Sequence, residues 1–219
     1  MPLLDTPTQP PTRRPSLPDR IPELQNGDRL SHEEFMRRYE AMPGVTAELI
    51  DGTVYMASPV RLEQHGKPHA RIVTWLGTYC SRHADVEIGD NVTLILGRDT
   101  DPQPDACLLL PESRGGRAKL VDGYVHGPPE LVVEVAASTA SLDANAKAEA
   151  YHAAGVPEYL LWRVEEERID WYERLEDRYL AMVPNADGLI ESKHFEGLKL
   201  NPEALLRGDL AKVLGDVAR

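Results

Sequence analysis

Apolar residues recur along the chain at helical and at strand spacings, and each spacing marks a kind of element. Ile72, Val73, Trp75, Leu76 and Tyr79 fall at helical spacing, which predicts a helix within residues 65–83. Glu48-Leu49-Ile50 and Thr53-Val54-Tyr55-Met56 flank Asp51-Gly52. Asp-Gly between two apolar runs predicts a tight hairpin. Strands are expected near 86–97, 104–110 and 130–136, and a strand pair over 158–164 and 169–174. The run from Leu131 to Ala136 is apolar at every position but Glu134, the pattern of a strand buried on both faces. Ser31, with Glu34 three residues later, reads as a capping box for a short helix reaching about Ala41. Ser141, an alanine-rich interior and Gly155 frame a helix over 141–154. Asn201-Pro202 opens a final helix, with Asn as the cap and Pro in the first position. The order helix, hairpin, helix, strands, helix, strands fits an α/β domain with a mixed β-sheet flanked by helices.

Composition adds boundaries to this picture. Residues 1–28 are rich in proline and poor in apolar periodicity, so a flexible arm is expected there and the domain over 29–219. The arm has no apolar stretch of the kind a secretory signal needs. No run approaches the roughly 18 to 20 apolar residues of a membrane span. Cys80 and Cys107 are the only cysteines and form no C-x-x-C pattern, which suits free thiols in a reducing cytoplasm. There are 24 Lys and Arg against 36 Asp and Glu, a formal net charge of -12. That excess opposes an extended nucleic-acid surface, because phosphates are bound mainly by Lys and Arg.

The chemistry begins with Asp105, in Gln103-Pro104-Asp105-Ala106-Cys107, and with Glu134. Each is a lone carboxylate on an apolar run, and a buried charge costs several kcal/mol unless something pairs with it. Two such acids on consecutive expected strands point to a shared cation. Hydrolysis of a phosphodiester needs charge neutralisation and an activated water, which Mg²⁺ held by carboxylates supplies. It also benefits from a lysine that positions the water and stabilises charge. Glu48, Asp105, Glu134 and Lys147 occur in an order that offers all of these. Taken singly, each has an ordinary alternative. Lys147 can pair with Asp143 on its own helix face, Asp105 can cap a turn after Pro104, an arginine can satisfy Glu134, and Glu48 can face solvent. His65 and His69 share the i, i+4 spacing of a zinc pair, but Pro68 intervenes and no third ligand is evident, so they read better as polar residues at the mouth of a cleft. Arg114, Arg117 and Lys119 form the densest basic run and a candidate DNA-contacting loop. Trp162 and Trp171 read as core.

Pro104-Asp105, then Glu134-Val135-Ala136-Ala137-Ser138-Thr139, then Asp143 with Lys147, then Tyr151 with Gly155-Val156-Pro157-Glu158-Tyr159 follow one another along the chain. Together with Glu48 to Pro59 and the closing Leu200-Asn201-Pro202-Glu203, this series resembles the Uma-type branch of the PD-(D/E)XK nuclease superfamily, from about residue 30 onward. The resemblance implies a restriction-endonuclease-like core that hydrolyses DNA with Mg²⁺ or Mn²⁺. Asp105 and Glu134 would be metal ligands, joined by the Val135 carbonyl, and Glu48 would complete the acidic cluster. Lys147 would be the catalytic lysine, moved to the helix because Ala136 stands two residues after Glu134. A homodimer is implied as well. The chain departs from the branch at Ala144-Asn145, where a glycine is expected between Asp143 and Lys147. Two other functions fit the same residues: a catalytically silent interaction or nucleic-acid-binding module, favoured by the acidic charge, and a metal-dependent hydrolase of RNA or a small phosphoester.

Overall fold

A computed structural model describes residues 21–136 and 143–217, the side chains of Asp143 and Ala144 excepted. Helix α1 (His32–Glu40) begins at Ser31, whose side chain accepts the Glu34 N–H. The reciprocal bond of a capping box does not form, because Arg37 and Arg38 hold the Glu34 carboxylate. Strands β1 (Ala47–Ile50) and β2 (Thr53–Met56) make the expected hairpin. Asp51 and Gly52 turn it with φ of 47° and 73°. A π-helical turn over Leu62–Gly66 leads into α2 (Lys67–Cys80), which buries Ile72, Trp75, Leu76 and Tyr79. The run expected as one strand near 86–97 divides into β3 (Glu87–Asp90) and β4 (Leu94–Ile95), which join different sheets. The break falls at Asn91, whose φ of 51° a strand does not allow.

Strand β5 (Ala106–Leu109) is followed by β6 (Lys119–Val121), β7 (Tyr124–His126) and β8 (Leu131–Ala136). Helix α3 (Asp143–Ala154) ends at Gly155, at φ 85°. Then come β9 (Glu158–Arg163), β10 (Arg168–Arg174), β11 (Tyr179–Ala181), β12 (Ile190–Glu191) and β13 (Lys199–Leu200). Helices α4 (Pro202–Arg207) and α5 (Leu210–Val217) close the order, and the Asn201 side chain accepts the Ala204 N–H at the start of α4. Ser141, expected as the cap of α3, and the expected Asp143–Lys147 pair lie outside the described residues.

The main sheet has six strands in the order β11-β10-β9-β8-β5-β3. Only β8 and β9 run parallel, so the chain crosses between them through α3. Period-two alternation divides their side chains between two cores. Val133, Val135, Leu160 and Trp162 pack with α2, α4 and α5 on one face. Val132, Leu161 and Tyr159 pack with Tyr151 of α3 on the other. Glu134 follows the alternation of Val132 and so belongs to the α3 face. A third core joins Phe35 of α1 to Leu49 and Val54 of the hairpin. Of the segment expected as an arm, residues 1–20 lie outside the described residues. Residues 21–28 pack on the hairpin, with Leu24 buried and the Gly27 N–H bonded to the Val54 carbonyl. Trp162 and Trp171 are core residues. Among the described residues no helix is long and apolar enough to cross a membrane.

Candidate functional site

Three elements and the strand entry at Asp105 bring the sequence-derived residues to one end of the main sheet. Asp105 immediately precedes β5. The antiparallel register pairs Ala106 with Val133, and one step further sets Asp105 beside Glu134 on the same face. There the backbone ladder gives way to a side chain, and Asp105 Oδ2 accepts the Val135 N–H at 2.6 Å. Glu134, 8% exposed, is reached from α3 by two residues one turn apart. Lys147 Nζ lies 3.0 and 3.2 Å from its two carboxylate oxygens, and the Tyr151 hydroxyl donates to Oε1 at 2.6 Å. The same ammonium is 2.8 Å from Glu48 Oε1 on β1. Glu48 in turn accepts the Gln103 N–H at 2.6 Å. Glu48, Glu134 and Lys147 thus touch directly, and Asp105 joins them through the backbone of β8.

Two neighbours carry more of this site than their sequence context indicated. His65 places Nε2 3.0 Å from Asp105 Oδ1 and Nδ1 3.2 Å from the Val135 carbonyl. Tyr151 anchors Glu134. The i, i+4 spacing of Lys147 and Tyr151 was a usable signal for the tyrosine; His65 was read as a residue at the mouth of a cleft, but nothing local tied it to Asp105, since that contact spans the fold. His69 stacks on His65 with ring centroids 5.5 Å apart, but turns to Asp90 Oδ1 and the Asp105 carbonyl. The histidines are therefore tied to two different acceptors instead of facing a common zinc. In the basic loop, Arg114 is bound to Asp85 at 2.9 Å and Arg117 to the Gly155 carbonyl. Two of its three cations are thus engaged at the surface by partners within the chain.

Burial and crowding set the charges. Desolvation pushes Glu134 up to about 7; Lys147 opposes that rise, while Asp105 and Glu48 add to it. Desolvation works against the Lys147 ammonium, but Glu134 and Glu48 outweigh it and hold its pKa above the ordinary value. The hydrogen bond that His65 donates to Asp105 raises the histidine against the partial burial that lowers it. The site therefore holds an ammonium fixed among three carboxylates, one of which gains its charge near neutrality. Such an arrangement binds cations, orients a water and presents a fixed positive charge to an anionic group.

The chain matches a known family over residues 32–203, described as "Uma2: Putative restriction endonuclease". Among solved structures, it is similar to a putative nuclease belonging to DUF820 from Anabaena variabilis ATCC 29413. That likeness has a TM-score of 0.63 at 14% identity and covers 78% of this chain and 97% of the other. At this identity it speaks for the fold. No curated protein matches the chain.

Proposed function

The chain belongs to the Uma2 family of putative restriction endonucleases, and from that premise we propose that it is a metal-dependent endonuclease that hydrolyses DNA phosphodiester bonds at the Asp105–Glu134–Lys147 cluster. The observation that carries this reading is the ammonium of Lys147, held 2.8 Å from Glu48 and 3.0 Å from Glu134 beside the Asp105 strand entry.

A divalent ion suits the donor set. Among the described residues no three His, Cys, Asp or Glu side chains are gathered as a ready cage. Mg²⁺ does not require one, since it keeps several waters and takes one or two carboxylates together with substrate oxygens. Asp105 and Glu134 offer hard oxygens of that kind, with the Val135 carbonyl beside them, and Glu48 completes the acidic cluster. When bound, Mg²⁺ or Mn²⁺ would neutralise phosphate charge and lower the pKa of a water. The chain's own groups do the rest. Lys147 stays charged, so it donates hydrogen bonds to a water or a phosphate oxygen and does not act as a base. Glu48 fixes the ammonium, Tyr151 fixes Glu134, and His65 fixes Asp105. Two free thiols support a reducing, cytoplasmic setting. The acidic surface supports a homodimer, which would pool the few basic residues around one substrate.

Plasmid cleavage with Mg²⁺ tests the reading in the parent protein, Asp105→Ala and Lys147→Ala. A loss of at least about 100-fold is expected in both variants, on the scale of removing a charge-stabilising group. Equal residual nicking in all three proteins would sink it. The net charge of -12 favours the second reading, a catalytically silent module. That reading gains if calorimetry detects no Mg²⁺ or Mn²⁺ binding that Asp105→Ala abolishes.

A further inference from the structure

On the α3 face of the sheet, beside Glu134, lies a cavity of about 200 Å³ between α3 and strands β9, β10 and β11. Tyr159, Tyr172 and Tyr179 wall it, with Asn145, Ala148 and Arg163 around them. The Tyr159 ring lies 6.0 Å from that of Tyr172 at an interplanar angle of 17°, and 5.7 Å from that of Tyr179. Two of the three hydroxyls are engaged. That of Tyr179 donates to the Val156 carbonyl at 2.9 Å, and that of Tyr172 accepts from Arg163 at 3.4 Å. The Tyr159 hydroxyl, on a residue 1% exposed, has no hydrogen-bond partner among the described residues. A buried polar group left unpaired costs about 1–3 kcal/mol, so an orphan of this kind marks the place of a partner.

The cavity adjoins the site already described. Asn145 and Ala148 flank Lys147 on α3. The Tyr151 ring, whose hydroxyl holds Glu134, tilts against the Tyr159 ring at 5.5 Å. A cavity of about 150 Å³ is enough for benzene, so this one has room for a single planar ring. Aromatic walls with a few polar groups suit a ring that has a π face and a polar edge, and stacking of a base on an aromatic side chain is worth about 1–3 kcal/mol. A base inside a duplex cannot reach such walls, whereas an unpaired or flipped one can.

We propose that this cavity is a base pocket that takes one unpaired nucleobase of the substrate, stacked against the tyrosines and hydrogen-bonded to the Tyr159 hydroxyl. The choice of a nucleobase rests on the nuclease reading; the cavity and its orphan hydroxyl do not. The pocket directs the site toward nucleic acid with a single-stranded or displaced base, and gives α3 a role in recognition beside its role in the candidate chemistry.

The test is metal-free binding of thymidine, deoxycytidine, deoxyadenosine and deoxyguanosine, and of the ribonucleosides uridine, cytidine, adenosine and guanosine, to the full chain by NMR titration. Saturable binding of at least one nucleoside is expected. Tyr159→Phe, which removes a single oxygen, should weaken it about tenfold, the loss of one buried hydrogen bond. Ala148→Phe should fill the pocket and abolish binding, and if that variant fails to fold, Tyr159→Phe decides. Thymidine against uridine and deoxyribose against ribose separate DNA from RNA as the source of the base. The inference is overturned if no nucleoside saturates, if Tyr159→Phe binds like the parent, or if phenol and indole bind as tightly as the nucleosides. Plasmid cleavage without nucleoside binding removes the pocket and keeps the nuclease. Nucleoside binding without cleavage does the reverse.

Discussion

Glu134 holds the central conflict at the scale of single residues. It is buried, it sits beside two other carboxylates, and it is relieved by one ammonium and one phenol. Its pKa in the folded protein is about 7, against an ordinary value of 4.5. Between those two values the folded state binds more protons than the unfolded chain. Stability attributable to Glu134 therefore falls as pH rises through this window, by up to about 1.4 kcal/mol per pH unit, and levels off above 7. The control is Glu134→Gln, which keeps the shape and removes the titration. Urea unfolding of both proteins between pH 5 and 7.5 is expected to show the parent losing ground to the variant at each step. Parallel stability curves would show that Glu134 does not gain its charge in that window. A bound divalent ion should reverse the trend, since it stabilises the carboxylate form.

At the scale of elements, the position of Glu48 depends on the hairpin that carries it. Gly52 has φ 73°, and a Cβ there would stand 3.3 Å from the Leu30 carbonyl oxygen. Gly52→Ala is therefore expected to lower stability by about 1 kcal/mol in a thermal or urea melt. It should also loosen the Glu48–Lys147 contact while leaving α3 and β8 in place; an unchanged melting curve would show that the turn is slack. This hairpin was legible because its signal, Asp51-Gly52 between apolar runs, is local. So were α2, the apolar β8 and the cap of α4. The hairpin of β6 and β7 turns on a second Asp-Gly pair, Asp122-Gly123, yet lay in what read as a basic loop. Its strands are only three residues long, and exposed Leu120 and Val121 break the alternation. In the candidate site, Asp105 and Glu134 were legible as charges out of place on apolar runs, whereas Glu48 and Lys147 were legible from their order along the chain and from the family resemblance. The tie of His65 to Asp105 was not, because the histidine's two contacts lie 40 and 70 residues away and only the fold brings them together.

For the whole molecule, the question is how a chain of net charge -12 would hold a polyanion. The described surface offers a groove of about 530 Å³ beside the first turns of α2, where Lys67, Arg71 and Arg207 alternate with Glu63, Glu167 and Glu203. Lys67 is paired with Glu63 and Arg207 with Glu203. Among the described residues Arg71 reaches only the Leu205 carbonyl, at 3.4 Å, which makes it the cation best placed to exchange its partner for a phosphate. Each phosphate neutralised adds about 0.9 to the salt slope on duplex DNA and about 0.7 on a single strand. Three cations therefore predict a slope no steeper than about -3 for one protomer, and about twice that if a dimer engages both grooves. Anisotropy of a labelled oligonucleotide, measured between 50 and 200 mM salt with the metal omitted, reads this directly. Arg71→Ala is expected to reduce the slope by about 1 and to weaken binding alike for every sequence, as loss of a phosphate contact does. A slope unmoved by Arg71→Ala would put the nucleic acid on another face. A slope near -10 would require more cations than this groove holds, and with them a larger assembly than a dimer.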